Sequence, residues 1–119
     1  MVDYWEGADQ NDKKELELLE KDIRKKLEDF ERIIPQTQNF EAWQTEYDKI
    51  AELLFKRFAL KNKILNSQEN WFRNGKGSIP DWQSKLPTAR GNISRELKED
   101  LAVSALLIED LSKSGGKNG

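Results

Sequence analysis

The stretch DKKELELLEKDIRKKLEDFERIIP, residues 12–35, decides the fold. Leu16, Leu19, Ile23, Leu27, Phe30 and Ile34 recur at steps of three or four. A helix turns once every 3.6 residues, so these six share one face and most of the positions between them are charged. Asp12 followed by Glu15 reads as a capping box at the start. Pro35 ends the helix, because the residue before a proline is pushed out of helical geometry. Glu17–Lys21, Asp22–Lys26 and Glu28–Arg32 place acid before base four residues apart, which supports a helix weakly and reads as a solvated exterior.

Working outward, the polar link Gln36 to Asn39 is short enough to force an antiparallel return, with Thr37 or Asn39 as cap. A second helix is expected over 39–74. Phe40, Trp43, Tyr47, Ile50 and Leu54 continue the spacing, and the stripe then widens through Leu53, Phe55, Phe58, Leu60, Ile64 and Leu65. Asn74-Gly75 is its stop, since both residues tolerate left-handed backbone, and Asn66-Ser67 marks a place for a bend. A third helix is expected over 93–113, with Ile93, Leu97, Leu101, Ser104 or Ala105, Ile108 and Leu111 facing the core. Its apolar run Leu101–Ile108 predicts burial on more than one side.

Between them, 75–92 holds three glycines and two prolines and reads as a long loop, with Pro80–Gln83 forming one helical turn. The fold class is therefore all-α: a three-helix antiparallel bundle, or a helical hairpin plus a third helix, with a long second helix. Residues 12–113 make one domain between a flexible acidic tail, 1–11, and a flexible end, 114–119. The expected helix lengths, roughly 35, 50 and 30 Å, leave Ile64, Leu65, Trp71 and Phe72 overhanging. Ile79, Trp82 and Leu86, a second copy of the chain, or another protein must cover them.

Charged residues are 35% of the chain and hydrophobic ones 36%, a balance suited to solvated amphipathic helices. The longest apolar stretch is too short to cross a bilayer. The acidic N-terminus lacks a signal-peptide pattern, and the expected compartment is the cytoplasm. The chain has no His and no Cys, which removes the usual zinc ligands, the Ser-His and Cys-His nucleophile pairs and disulfides. No cofactor or metal is expected. Glu96–Asp100 is the nearest approach to a facing carboxylate pair, and it reads as ordinary helix surface. Gly75-Lys76-Gly77-Ser78 lacks the spacing and the preceding strand of a phosphate loop and reads as a turn.

Charge is uneven along the chain: −7 over 1–55, +7 over 56–95 and −2 over 96–119. The basic segment interleaves Lys56, Arg57, Lys61, Lys63, Arg73, Lys76, Lys85, Arg90 and Arg95 with Trp71, Phe72 and Trp82. Bases with aromatics suit single-stranded nucleic acid. The competing expectation is that these bases pair with the acidic first helix.

These features point to a helical protein–protein interaction module, an adaptor, small subunit or inhibitor, with no catalytic activity. Its partner would be another protein or a second copy of the chain. The alternative is a nucleic-acid-associated subunit that contacts single-stranded backbone through 56–95. The candidate partner-binding residues are Trp71, Phe72, Arg73, Lys76, Trp82, Lys85 and Arg90, because Trp and Arg dominate binding hot spots and long loops concentrate function.

Overall fold

The structure, a computed structural model, describes residues 6–33, 36 and 40–116. The expected stop at Ile34-Pro35, the caps Thr37 and Asn39, the pair Tyr4-Trp5, residues 117–119 and the side chains of Phe40 and Leu111 lie outside the described residues. Three helices follow in order: α1, Gln10–Ile33, α2, Phe40–Arg73, and α3, Trp82–Gly116. There is no strand among the described residues. The chain is an all-α three-helix bundle in which α1 and α3 both pack along the long central α2.

Helix α1 starts at Gln10, two residues before the expected cap. The Asp9 carboxylate accepts from the backbone N–H of Asn11 at 2.8 Å and of Asp12 at 3.3 Å, so Asp9 is the cap. Asp12, expected as the cap, is instead buried in the first turn and pairs with Lys63 of α2 at 3.1 Å. Gln10 and Asn11, expected in the tail, thus belong to the first turn of α1. Along α1, Leu16, Ile23 and Phe30 are buried as the spacing requires, with Leu19 and Leu27 packed beside them.

Helix α2 runs 34 residues without interruption at Asn66-Ser67. It ends at Asn74-Gly75 as expected: Gly75 N–H donates to the Phe72 carbonyl at 3.0 Å and Lys76 N–H to the Trp71 carbonyl at 3.3 Å. This paired closure needs left-handed backbone at Gly75, whose φ is +77°. The core joins Ile23 and Phe30 of α1 to Ile50 and Leu54 of α2, with Leu97, Leu101, Leu107 and Ile108 of α3 against them.

The third helix departs most from expectation. It begins at Trp82 and has 35 residues, so most of the expected loop 75–92 is helical. The Asp81 carbonyl accepts from Ser84 and Lys85 N–H at 3.1 and 3.3 Å, opening the helix, which then continues through Pro87. Proline there removes one backbone bond and costs a helix interior ~3 kcal/mol. Pro87 and the residue four before it, Gln83, are both exposed. The neighbouring Leu86 is buried, and that packing holds the turn. The C-terminal end also reaches Gly116, past the expected 113.

Burial of α3 is one-sided, contrary to the reading of its apolar run. Ser104 is buried, while Val103 and Leu106 are 61% and 58% exposed. Leu97, Leu101, Leu107 and Ile108 take the packing against the core.

Cross-helix ion pairs use the basic segment. Arg57, itself buried, meets Glu20 of α1 at 3.4 Å, and Glu96 at 3.6 Å and Asp100 of α3. Lys61 reaches Glu96 at 2.8 Å and Glu20 at 3.8 Å. The bases therefore pair with acids of both flanking helices, where the sequence pointed only to the first. The Glu96–Asp100 pair is half of this clamp.

Candidate functional site

The helix lengths define the site. Asp12, near the start of α1, is level with Lys63, and α2 continues ten residues beyond Lys63, to Arg73. Helix α3 matches that extension with its own first turns: Arg90 donates to Asn66 at 2.8 Å, and Trp82 stacks on Phe72. The α2–α3 hairpin therefore projects past α1. An apolar furrow of about 600 Å3 lies there between Leu65, Gln68 and Phe72 of α2 on one wall and Trp82, Leu86 and Ala89 of α3 on the other.

Trp82 forms the ridge at the tip. Its ring lies 5.8 Å from that of Phe72, with planes 16° apart, and the Arg73 guanidinium sits 5.9 Å from its centroid. Arg73 is held by Glu69 at 3.1 Å, and Glu69 also meets Arg90 at 3.4 Å. The hydrogen bond from Arg73, with help from Arg90, holds the Glu69 carboxyl below its ordinary range. Arg73, Trp82 and Arg90 line a second, more polar recess on the far side of the ridge, of about 480 Å3. Lys85 stands at the edge of the apolar furrow and pairs with Asp81 at 3.3 Å, both groups well exposed.

Trp71 and Lys76 lie apart from the furrow walls. The Lys76 ammonium sits 5.0 Å from the centroid of the Trp71 ring. Against the same side chain runs the chain leading into α1. A Cβ added at Gly7 would fall 2.5 Å from Cβ of Trp71, and the φ of Gly7 is +81°, so only glycine fits. Ser78 donates to the Glu6 carboxylate at 2.9 Å, tying this strap to the α2–α3 turn.

The structure thus gathers Phe72, Arg73, Trp82, Lys85 and Arg90 at one end of the hairpin and sets Trp71 and Lys76 on its flank. Phe72 is buried, stacks on Trp82 and lines the furrow. The 71–90 stretch is no loop site, since its aromatics sit on helix ends. Leu65 and Leu86, expected on the overhang and in the segment that covers it, do meet there; the third wall residue, Ala89, was missed. The signal was present: Trp82, Leu86, Ala89 and Ile93 follow at steps of four, three and four. Pro87 and Gly91 inside that run read as loop punctuation and hid it.

Among the described residues there is no cluster of three or more groups able to hold a metal, and no helix is long and apolar enough to cross a membrane. No protein-family model, no curated protein and no solved structure matches the chain.

Proposed function

We propose that the chain is a helical protein–protein interaction module, without catalytic activity, whose partner seats on the open end of the α2–α3 hairpin. The observation that supports this reading is the apolar furrow itself, walled by Leu65, Phe72, Trp82, Leu86 and Ala89 on two rigid helices. Concave apolar surfaces with few polar groups are where binding concentrates. Trp and Arg at the tip are the residue types that anchor interfaces. The exposed Val103 and Leu106 on the other half of α3 offer a second apolar contact for a complex or a second copy.

The nucleic-acid alternative draws less support. Lys56, Arg57, Lys61, Lys63, Arg73, Lys85 and Arg90 all pair with acids of this chain. Counterion release needs bases free to neutralise phosphates.

The test is capture of partners from host cells on the wild-type chain and on Ala89→Trp, a substitution that fills the furrow from its wall, after circular dichroism confirms the helical content of both. A protein retained by the wild type and lost by the variant supports the reading. Equal retention counts against it, and capture of salt-sensitive nucleic acid by both revives the alternative.

A further inference from the structure

We propose that in the free chain the furrow is occupied by the chain's own N-terminal segment, residues 1–5, as a tethered plug that a partner displaces. The inference rests on the interaction reading above for what displaces the plug, and it adds an internal control on access to the furrow.

The tether is visible in the fold. Traced back from α1, the chain passes Gly7 against the Trp71 side chain and reaches Glu6, whose carboxylate accepts from the Ser78 hydroxyl at 2.9 Å. Ser78 precedes Ile79, which lines the furrow. A Cβ added at Gly77 would fall 2.6 Å from the Phe72 ring and 3.2 Å from the same Glu6 carboxylate. Glu6 and a furrow wall therefore share the space above one glycine, and the segment is anchored at the furrow's mouth. Five extended residues span up to about 17 Å. The wall from Leu65 to Phe72 is about 10 Å long at the rise of a helix, so the segment reaches along all of it.

That close approach needs glycine on both sides of the contact. Gly7 has a φ of +81° and Gly77 one of +101°, and a side chain at either would strike Trp71 or Phe72. Left-handed backbone at both positions lets the strap lie flat on the α2–α3 turn. A tail with no fixed path would require neither.

The chemistry of the segment matches the furrow. Met1, Val2, Tyr4 and Trp5 are apolar or aromatic, and Asp3 is the one charged side chain. Tyr and Trp each bury ~150–250 Å2 while leaving a polar tip at the edge, which suits an apolar trough open to solvent. Asp3 is opposite in sign to Lys85, the one charged side chain among the described residues lining the furrow. The Lys85–Asp81 pair is exposed, so sharing it costs little. A short tether holds the segment at an effective concentration on the order of millimolar, so a weak contact fills the furrow and still yields to a partner.

The chain has no Cys, so Val2→Cys carries a nitroxide at a single position, and the amide signals of the full chain report what lies near it. The signals of Leu65 and Ala89 should be lost in the labelled chain and return when the nitroxide is reduced, while those of Arg24 and Val103 persist. The signal of Leu65 should also return in Tyr4→Ser/Trp5→Ser and, separately, in Ala89→Trp. Both variants keep the tether and act from opposite sides of the contact, so a failure to fold in one, seen by circular dichroism, leaves the other as the test. Loss confined to residues 77–79, equal loss at Arg24, or no loss at all would overturn the plug. Loss at Leu65 that survives both variants would come from the tether alone and would also overturn it. Loss that fades on dilution with unlabelled chain would assign the furrow to a second copy instead. None of these outcomes touches the interaction reading, which fails only if partners captured from cells stay bound to Ala89→Trp.

Discussion

Phe72 near the end of α2 and Trp82 at the start of α3 stack across the turn that joins them, ring centroids 5.8 Å apart and planes 16° from parallel. The stack fixes the hairpin tip and, with Leu86, covers the end of α2 that α1 does not reach. The tip is therefore structural on its inner side, and the furrow opens beside it.

Trp82→Ala should lower stability by about 2–3 kcal/mol, less than for a fully buried tryptophan because one side of the ring is accessible. Thermal denaturation followed by circular dichroism measures it. An unchanged melting temperature would mean that the stack does not hold the tip.

Pro87→Ala should stabilise the chain by on the order of 1–2 kcal/mol: it restores a backbone bond in α3, offset by the greater freedom of the unfolded chain. Urea titration reads the midpoint. A lower midpoint would show that α3 needs the proline.

Most of the bundle was legible in the sequence, and the failures have physical causes. The steps from Leu16 to Phe30 and from Trp43 to Leu54 found the core, because amphipathic spacing survives any local propensity. Where Pro87 and Gly91 sit inside α3, propensity argued for a loop, and packing of Leu86 overrode it. Asp9 was passed over as a cap because Asp12 with Glu15 made the stronger local pattern. Of the site, the anchors at the tip were visible as residue types. The overhang of α2 followed from the unequal helix lengths, but the furrow did not, since its second wall is the first turns of α3, which read as loop.

Arg57→Ala should cost about 2–3 kcal/mol, by leaving Glu20, Glu96 and Asp100 facing one another; the partial exposure of these acids keeps the loss below that for a fully buried pair. Arg57→Met should cost less, because it keeps the packing of the stem. High salt should narrow the gap to wild type. A loss in the methionine variant equal to that in alanine would locate the stabilisation in the charge alone.

Acid should weaken the bundle through Glu46. Its ion pair with Lys26, at 2.7 Å, outweighs the opposing effect of burial and with Lys49 holds the carboxyl below its ordinary value of 4.5. A carboxyl lowered by folding contributes stability that is present above its unfolded pKa and is lost as pH falls through the folded one. Stability should therefore decline below about pH 4.5, and Glu46→Gln should flatten that part of the profile. Denaturant midpoints across pH 3–7 for both chains check it. Identical slopes in the two would remove Glu46 from the cause.

The partner surface itself is reached most directly by a photo-crosslinking amino acid placed at Thr88, beside the furrow, and separately at Arg24, exposed on α1. Both variants are expressed in host cells and the adducts are identified by mass spectrometry. The account predicts a protein adduct from Thr88 and no matching adduct from Arg24. Equal labelling from the two positions, or no protein adduct from Thr88, would contradict it.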